Sequence, residues 1–424
     1  MRNARRTLLL VGTALLLLAL LPVLAGAGAC NSKGTRFYVP APDKGAVQQL
    51  AGLIKKHDFK DAVLLDKMLD KGHAVWLTGG TPAQVKRQVR KTMRRARWQR
   101  AEPVLVAYNI PGRDCSQYSA GGAADSTAYR ARIDGVAKGI GSGKAIVLLE
   151  PDALANLPVF CSPTTDPLAG DPPDSNGNYK TPELHPLSAQ RIADIRYAIG
   201  VLEANPSVSV YLDAGHSSWH SVGDMTRVLA AANVAGTQGF FLNASNYEPT
   251  SNLIEYGKWI SQCLWFGSPT SGSWGAGHYD WCASQYYSPD GPVSPSDPST
   301  WHYTDQWYTD NVESQTWVPY PGDAGLTHYV LDTSRNGQGA WSGAQNWCNA
   351  PDRGVGIAPT TNTGNDLVDA FLWIKVPGES DGTCDVRWVN GGDPAWGGIA
   401  DPAAGQWFPQ MALQLAQNAN PALH

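Results

Sequence analysis

Five short apolar runs in this chain each lead into an acidic residue and a turn, and this pattern constrains the fold more than any other feature. The runs are VLVAYNIPGRD, AIVLLEPD, VSVYLDAGH, HYVLDTSRNG and FLWIKVPGESDG, and they carry Asp114, Asp152, Asp213, Asp332 and Asp381. Runs this rich in Leu, Ile and Val are typical of buried parallel strands. Because the carboxyl ends of parallel strands meet at one rim of a barrel, the pattern predicts a rim lined with carboxylates. A single Asp at such a place is alternatively a turn former or a helix N-cap.

Strand-like and helix-like segments alternate along the chain. The apolar spacing predicts helices over 45–57, 82–99, 126–140, 187–205 and 221–235. Between and after them lie seven strand-like runs, AVWLTGG, VLVAYNI, AIVLLEPD, VSVYLDAG, GFFLNASN, HYVLDTSR and FLWIKVPG. This alternation predicts an α/β fold, either a βα barrel or a doubly wound sheet. No GxGxxG follows the first strand and no P-loop is present, which argues against a nucleotide-binding site.

Three long stretches interrupt this order, at about 161–186, 263–323 and 382–405. They are rich in Gly, Pro, Ser, Asp and aromatic residues. Irregular segments of this length in a compact domain are usually functional, so we expect them to form the walls or lids of a site.

The N-terminus has the features of a secretory signal. Three arginines precede an apolar stretch over 8–25, and small residues follow it. We therefore expect a signal peptide at 1–29, a short tether at 30–36 and one domain at 37–424, with no separate carbohydrate-binding module. Cys30 stands where a bacterial lipoprotein carries its acylated cysteine, but Ala27 replaces the leucine expected three residues earlier. Acylation of Cys30 and plain cleavage nearby both remain open.

Cysteine number and composition narrow the class further. Seven cysteines are present, and setting Cys30 apart leaves six, which suits three disulfides in a secreted protein. Spacing alone leaves all pairings of the six open, and no zinc-binding spacing occurs. A net charge of −4 gives no reason to expect nucleic acid as a partner. Sixteen Trp residues, several in polar loop sequence, favour a sugar-binding surface over a Trp-rich core, because indole faces stack on sugar rings.

Carboxylates at one rim suit the cleavage of a glycosidic bond. That reaction needs an acid to protonate the leaving oxygen and a carboxylate on the other face of the ring. Asp152 ends the most apolar strand, where burial favours a raised pKa, and Asp114 is its natural like-charge neighbour. Alternatively, Glu150 or Asp152 forms a structural ion pair with Arg113 or Lys144.

Six motifs resemble those of family-6 glycoside hydrolases, the cellulases and cellobiohydrolases. They are YNIPGRDC, LEPDALAN, LDAGHSSWH, LNASNY, LDTSRNG and WIKVPGESDG, and they occur in the family's order from about Phe37 to the C-terminus. The resemblance implies a distorted seven-stranded TIM-like (β/α) barrel with long rim loops. It also implies hydrolysis of β-1,4-glucan with inversion at the anomeric carbon, without a cofactor.

The resemblance also implies residue roles. Asp152 resembles the general acid, and Asp114 the partner that raises its pKa and relays a proton through water. Tyr108 resembles the tyrosine that distorts the sugar at the cleavage point, and Asp381 resembles the proposed base. Supporting roles fall on Asp213 and Asp332, and contacts with sugar on His216, Trp219, Asn246, Trp347, Lys375 and Glu379.

One departure from the family affects the proton relay. Ala120 stands where family members often carry a serine six residues after the first aspartate. Ser119, or the backbone of Gly121 and Gly122, would then hold the relay water.

Disulfide pairings follow from the same resemblance. It implies Cys115 with Cys161 and Cys348 with Cys384, which leaves Cys263 with Cys282. No metal is expected. His216 and His220, with Asp213 nearby, form an alternative metal site, but the resemblance favours sugar binding or helix capping.

The mode of action remains open from the sequence. The short segment from Asp114 to Tyr129 resembles open-cleft endoglucanases, whereas the long stretch from Thr383 to Trp407 resembles tunnel-forming enzymes. We lean towards an endoglucanase, with an exo-acting cellobiohydrolase as the alternative. A hydrolase of another glycan and a non-catalytic glycan-binding lipoprotein are further alternatives. The expected protein is a monomer, secreted or anchored to the outer face of a bacterial membrane, acting on β-1,4-glucan and cello-oligosaccharides.

Overall fold

The computed structural model describes residues 34–161, 186–291, 293–316 and 318–424. The expected signal peptide, Cys30 and most of the stretch 161–186 lie outside the described residues. Residues Thr35–His424 form one compact unit. Among the helices that the structure describes, none is long and apolar enough to cross a membrane.

One parallel sheet of seven strands organises this unit. Each strand pairs with its neighbours in the sequence, in the order β1 to β7. The strands are β1 Val75–Leu77, β2 Val104–Ala107, β3 Ala145–Leu149, β4 Val208–Asp213, β5 Gly239–Leu242, β6 His328–Asp332 and β7 Val368–Leu372. The sheet curls so that its first and last strands approach: the Ala74 amide donates to the Trp373 carbonyl at 2.9 Å. The predicted seven-stranded TIM-like barrel is confirmed.

Helices cover the outside of the sheet. They are α1 Lys44–Lys55, α2 Phe59–Leu69, α3 Pro82–Gln99, α4 Ser126–Ile140, α5 Pro158–Cys161, α6 Pro186–Leu202, α7 Val222–Ala231, α8 Thr250–Phe266, α9 Trp301–Tyr308 and α10 Pro409–Gln417. Local sequence sets several of their ends. Thr81 and Gln84 form a capping box at the start of α3, with Pro82 in the first turn, and Asp125 caps α4.

The strands are apolar throughout because both of their faces are buried. Ile146 and Leu148 of β3 point into the barrel and pack with residues such as Val106 and Phe241. The alternate residues Val147 and Leu149 belong to the core between the sheet and the helices. This is why strand 3 reads as a continuous apolar run rather than an alternating one.

A third apolar cluster covers the seam between β7 and β1. Trp373, which follows β7, is buried there with Leu65 and Met68 of α2, with Phe408 just before α10 and with Met411 in α10. These side chains close the barrel where the strand ladder does not.

Two sequence predictions about elements need correction. The seventh strand spans Val368–Leu372, whereas the sequence placed it from Phe371 onward. The stretch 263–323, predicted to be irregular, contains the end of α8 and all of α9. Trp301 in α9 is buried, and Trp265 and Trp307 pack against the core, so these aromatic residues are not loop residues.

We expect Phe240→Ala to lower the free energy of unfolding by about 3–5 kcal/mol, because it leaves a cavity in a close-packed core. Phe240 is fully buried in β5 and its ring stacks on that of Tyr329, with centroids 5.1 Å apart. Phe59→Ala is the matched control, since Phe59 is 57% exposed; its effect should stay within about 0.5 kcal/mol. Denaturant unfolding measures both, and equal effects would contradict the placement of β5.

Candidate active site

The five carboxylates predicted from the strand ends meet at the carboxyl edge of the sheet. Asp213 and Asp332 are the last residues of β4 and β6. Asp114, Asp152 and Asp381 lie in the loops after β2, β3 and β7. The negative charges of Asp213, Asp114 and Asp381 all act on Asp152, which places this residue at the centre of the group.

Asp152 has the surroundings of a protonated acid. Burial raises its pKa well above the ordinary value, and the charges of Asp213, Asp114 and Asp381 raise it further, while Lys375 opposes the rise. Three like charges favour the protonated form of a carboxyl, because its ionisation would add a further negative charge to the group. Asp213 acts on it more strongly than Asp114, the partner expected from the sequence.

The loops after β2 and β3 hold their acidic residues in an unusual backbone conformation. Asp114, Cys115, Glu150 and Asp152 have φ angles of 58°, 46°, 53° and 65°. Residues other than glycine rarely adopt this left-handed region, because Cβ then crowds the backbone. Left-handed residues of this kind collect at functional sites, where the surrounding structure holds them in place.

Asp114 is fixed by its own loop. The backbone amide of Ser119 donates to its Oδ2 at 2.6 Å. Burial raises the pKa of Asp114, and this hydrogen bond and the Arg113 guanidinium oppose the rise. Ser119, Gly121 and Gly122 were the candidates for holding the relay water near Ala120. Of these, Ser119 contacts Asp114, through its backbone amide.

Tyr108 lies beneath the acids. It is 5% exposed, with the edge of Trp76 at 5.3 Å between ring centroids and the Arg113 guanidinium 4.5 Å from its ring centre. Burial raises the pKa of its hydroxyl, and the charges of Asp152 and Asp114 raise it further. The tyrosine is therefore a neutral hydroxyl close to both acids.

Asp381 has the opposite environment from Asp152. Arg335 Nη1 lies 2.7 Å from its Oδ2, and Lys375 Nζ lies 3.1 Å from its Oδ1. The Asn349 amide also donates to Oδ2, at 2.9 Å. Burial by itself would raise the pKa of Asp381, but the two cations hold it below its ordinary value, so this group is ionised.

Asp332 joins the ends of three strands. Its carboxylate, fully buried, accepts backbone N–H donors from Ser245, Ser334, Ile374 and Lys375 at 2.9–3.1 Å. Burial raises the pKa of Asp332, and these donors oppose the rise. The supporting role expected of this residue stays a prediction.

Asp213 is also fully enclosed. Burial raises its pKa to about 7, and the Gly215 amide, 3.3 Å from Oδ1, opposes the rise. With Asp152 beside it, this carboxyl adds either a negative charge or a proton to the site, depending on pH.

Glu150 is held by backbone amides and not in the ion pair that the sequence offered as an alternative. Its Oε2 accepts from the amides of Asn109 and Ile110 at 2.7 and 2.9 Å. Burial raises its pKa to about 7, while these amides and Arg132 lower it. Arg113 instead donates to backbone carbonyls, and Lys144 pairs with Glu102. Glu150 therefore ties the loop after β2 to the end of β3.

Two of the predicted sugar-contacting residues follow β4. The rings of His216 and Trp219 lie 5.5 Å apart. Burial lowers the pKa of His216 to about 3, so its ring is neutral. Trp219 also stacks on His220, with ring centroids 5.4 Å apart. The His220 ring is held in place because its Nε2 lies 2.7 Å from the Ala155 carbonyl oxygen.

The remaining predicted contacts flank the group from β5 to β7. Asn246 is partly exposed, and its amide nitrogen donates to the Ala244 carbonyl at 3.1 Å. Trp347 is partly exposed beside Tyr118, with ring centroids 5.9 Å apart. Burial raises the pKa of Glu379 to about 7, and Lys375 opposes this rise. The sugar-binding roles of these residues stay predictions.

Three disulfides fasten the rim. They join Cys115 to Cys161, Cys263 to Cys282 and Cys348 to Cys384. The pairings implied by the family resemblance are confirmed.

Within the described ranges, no group of three or more His, Cys, Asp or Glu residues is arranged to hold a metal ion. One ring nitrogen of each alternative ligand has another partner: His216 Nδ1 accepts from the Ser218 amide at 3.3 Å, and His220 Nε2 lies 2.7 Å from the Ala155 carbonyl.

Sequence reasoning missed two residues of this site. Arg335 is fully buried, contacts Asp381, lies over the Tyr247 ring at 4.3 Å and donates to the Ser245 carbonyl. Tyr118 reaches the loop after β7 through Asp385. Arg335 stands in the motif LDTSRNG, and an arginine inside an otherwise buried motif was the available signal.

Comparisons with known proteins identify the family of the chain. A family model described as glycosyl hydrolases family 6 matches residues 32–419. Endoglucanase A from Thermobispora bispora is 29% identical over 405 residues, which cover 95% of this chain and 66% of that protein. Endoglucanase A from Cellulomonas fimi is 31% identical over 360 residues, which cover 85% of this chain and 57% of that protein. The chain thus spans somewhat less than two thirds of the length of these relatives.

Solved structures show the same fold. The endoglucanase Cel6 from Mycobacterium tuberculosis, solved in complex with methyl-cellobiosyl-4-deoxy-4-thio-β-D-cellobioside, is 30% identical with a TM-score of 0.62. The match covers 91% of this chain and 98% of that one. Because the family model matches nearly the whole length of the chain, the chain belongs to glycosyl hydrolases family 6.

Proposed function

We propose that this protein is an inverting β-1,4-glucanase that hydrolyses cellulose or related β-glucans, acting within chains, with Asp152 as its general acid. The observation that carries the proposal is a pair of carboxyl groups with opposite pKa shifts at one rim. Burial and three like charges keep Asp152 protonated, whereas Arg335 and Lys375 keep Asp381 ionised. Two titratable groups with pKa values pushed apart are what acid-assisted cleavage of a glycosidic bond needs.

The reaction follows from these two states. Asp152 donates its proton to the glycosidic oxygen as the bond from that oxygen to the anomeric carbon breaks. A water molecule attacks the anomeric carbon from the opposite face, which inverts its configuration, and loses a proton to the carboxylates on that side. The buried Tyr108 lies beside Asp152 and Asp114, where it can press on the sugar at the cleavage point.

Asp381 is a weak base in this site. Both of its oxygens bond to cations or amides, and its pKa is below the ordinary value. A carboxylate with such partners accepts a proton poorly, but its charge stabilises the positive charge that develops on the sugar ring. We therefore propose that Asp381 acts mainly through its charge. Its low basicity makes it only a weak acceptor of the proton, which reaches it through intervening water, and Asp114 takes part in this relay.

The substrate is inferred from the relatives. The solved Mycobacterium tuberculosis protein binds a thio-linked cello-oligosaccharide, and the two curated relatives are endoglucanases. Partly exposed Trp219 and Trp347 offer indole faces to a neutral glucan. A purely glycan-binding protein has no need of an acid with the surroundings of Asp152.

We propose that the protein is secreted as a monomer. Three disulfides support secretion, because such bonds persist in oxidising compartments. A signal peptide over 1–29 and acylation of Cys30 remain part of the proposal, as does a catalytic domain over 37–424.

A second candidate, action from chain ends as in cellobiohydrolases, is favoured by one contact. The Tyr118 hydroxyl, in the loop after β2, donates to Asp385 Oδ1 in the loop after β7 at 2.6 Å. The same ring packs against Gly382, where an added Cβ would lie 2.4 Å from Tyr118 Cβ. The two rim loops thus meet, as they would if they enclosed a chain.

Asp152→Asn should abolish hydrolysis of carboxymethylcellulose, with a loss of at least about 100-fold in rate, because the amide cannot protonate the leaving oxygen. Viscosity and reducing ends are followed together. A fast viscosity drop in the parent protein supports action within chains, and reducing sugar with little viscosity change supports the second candidate. Asp290→Asn, on an exposed loop, is the matched control. Retained activity in Asp152→Asn would overturn the assignment of the acid.

Lys375→Met should shift both limbs of the pH–rate profile upward by about one unit. Lys375 lowers the pKa of both Asp152 and Asp381, so its loss raises both. On the acidic limb, activity is lost as pH falls through the pKa of Asp381, because that group must be ionised. On the alkaline limb, activity is lost as pH rises through the pKa of Asp152, because that group must be protonated. Lys375→Arg, which keeps the charge, should leave both limbs in place. Limbs that stay fixed in Lys375→Met, or move in opposite directions, would contradict these roles.

Tyr118→Phe tests whether the loop contact restricts the cleft. The change removes the hydroxyl that bonds Asp385 and leaves the ring in place, so we expect more viscosity loss per reducing end released. Tyr287→Phe is the control, since Tyr287 is 43% exposed and distant in sequence from both loops. An unchanged ratio would show that the contact does not enclose the substrate and would remove the support for chain-end action.

A further inference from the structure

The helix α3 carries an unusual concentration of positive charge. Between Pro82 and Arg100 the chain has eight Lys and Arg residues and no Asp or Glu, although its net charge is −4. These cations are Lys86, Arg87, Arg90, Lys91, Arg94, Arg95, Arg97 and Arg100, and all except Lys86 are exposed. None has an ion-pair partner in the part of the chain that the structure describes.

The inner face of α3 is fully used for packing. Val85, Val89, Thr92 and Ala96 are buried there. The helix sits so close to α4 that a Cβ added at Gly139 would lie 2.6 Å from Val89. The helix is therefore fixed to the domain, and its outer face is presented in one orientation.

The outer face forms a stripe along the helix. Arg87, Lys91, Arg94 and Trp98 recur at helical spacing and share one side, opposite the buried residues. Trp98 is 85% exposed, which is unusual for a side chain with so large an apolar surface. We call these four residues the α3 stripe.

The proposed substrate does not account for the stripe. A β-glucan is neutral, so a row of unpaired cations adds nothing to its binding. The partner must carry negative charge, and an indole beside cations is typical of proteins that lie at the surface of a bilayer, where Trp occupies the headgroup region.

The chain's own connectivity points to the same partner. The start of the described domain is fastened to the end of α3 that bears Trp98: the Val39 amide donates to Gln99 Oε1 at 3.0 Å, and Gln99 Nε2 donates to the Val39 carbonyl at 2.9 Å. Cys30 precedes Thr35 by five residues, a length of chain that reaches about 17 Å at most. An acyl group on Cys30 would therefore hold this end of α3 near a membrane.

We propose that the α3 stripe docks the protein on anionic phospholipid headgroups, with the helix lying along the membrane surface. α3 begins near the carboxyl ends of the strands and ends beside the start of β2, so it runs along the side of the barrel. A surface bound there leaves the rim with Asp152 free for substrate. One acyl chain holds a protein only marginally, and a basic patch supplies the second attachment that stable binding needs.

The test is cosedimentation with lipid vesicles. The protein used spans Thr35–His424, which forms a compact unit and lacks Cys30. It should bind vesicles that contain phosphatidylglycerol, bind weakly to phosphatidylcholine alone, and lose binding at high salt because salt screens the attraction. The triple variant Arg87→Gln, Lys91→Gln and Arg94→Gln should bind about 10- to 100-fold more weakly. Trp98→Ala should weaken binding at every salt concentration.

A matched control separates the stripe from net charge. Lys55, Lys56 and Lys60 are exposed cations on or beside α1 and α2, and changing all three to Gln alters the charge by the same amount. This control should bind like the parent protein, and all variants should keep the parent's melting temperature and rate on a soluble glucan. No binding to phosphatidylglycerol vesicles, equal losses in both triple variants, or binding to an acidic polysaccharide but not to vesicles would each overturn the proposal. Loss of hydrolysis in the parent protein would affect the proposed function alone.

Discussion

Four backbone N–H groups converge on the buried carboxylate of Asp332, and the geometry of the site depends on that arrangement. The donors come from the ends of β5, β6 and β7, so one side chain fixes three strand ends in register. A carboxylate in the core is costly unless such donors replace its water. Two of these donors belong to Lys375 and to Ser334, the neighbour of Arg335. The cations that hold Asp381 are therefore positioned by the backbone that Asp332 secures.

The site holds one aspartate in the protonated state and another in the ionised state. Asp152 and Asp381 have the same side chain and lie at the same rim; Asp381 is buried and Asp152 is partly buried. Asp152 has carboxylates around it and one cation at a distance, whereas Asp381 touches an arginine and a lysine. Burial strengthens both sets of interactions because the local dielectric is low. Neighbours, and not exposure, thus decide which group is protonated.

The sequence predicted the parts of the fold that local pattern governs. Strands buried on both faces must be continuous apolar runs, so six of the seven were found in place, and their acidic ends predicted the rim. The seventh run, FLWIKVPG, is apolar beyond the strand because Trp373 and Ile374 close the barrel instead of extending the ladder. Helix α8 was missed because it is buried on most sides and lacks a polar face to give it a helical period.

Long-range partners were the part that pattern could not supply. Arg335 meets Asp381 across 46 residues, and the Tyr118 hydroxyl meets Asp385 across 267. Nothing near either residue in the sequence specifies the other. Glu150 was considered for an ion pair with a nearby cation, but it bonds to amides 40 and 41 residues away. The family resemblance supplied the disulfide pairings, which spacing left open.

The left-handed backbone at Asp114 and Asp152 has a consequence for how such a protein can change. At φ angles of 58° and 65° an aspartate is tolerated, whereas asparagine and above all glycine are at ease. Repulsion between Asp152 and the neighbouring carboxylates further lowers the stability of the folded state. Replacing either acid with asparagine or glycine therefore relieves the folded state, so stability and activity are opposed for these substitutions. Selection for stability alone would favour such substitutions, and the product would be a more stable barrel without activity.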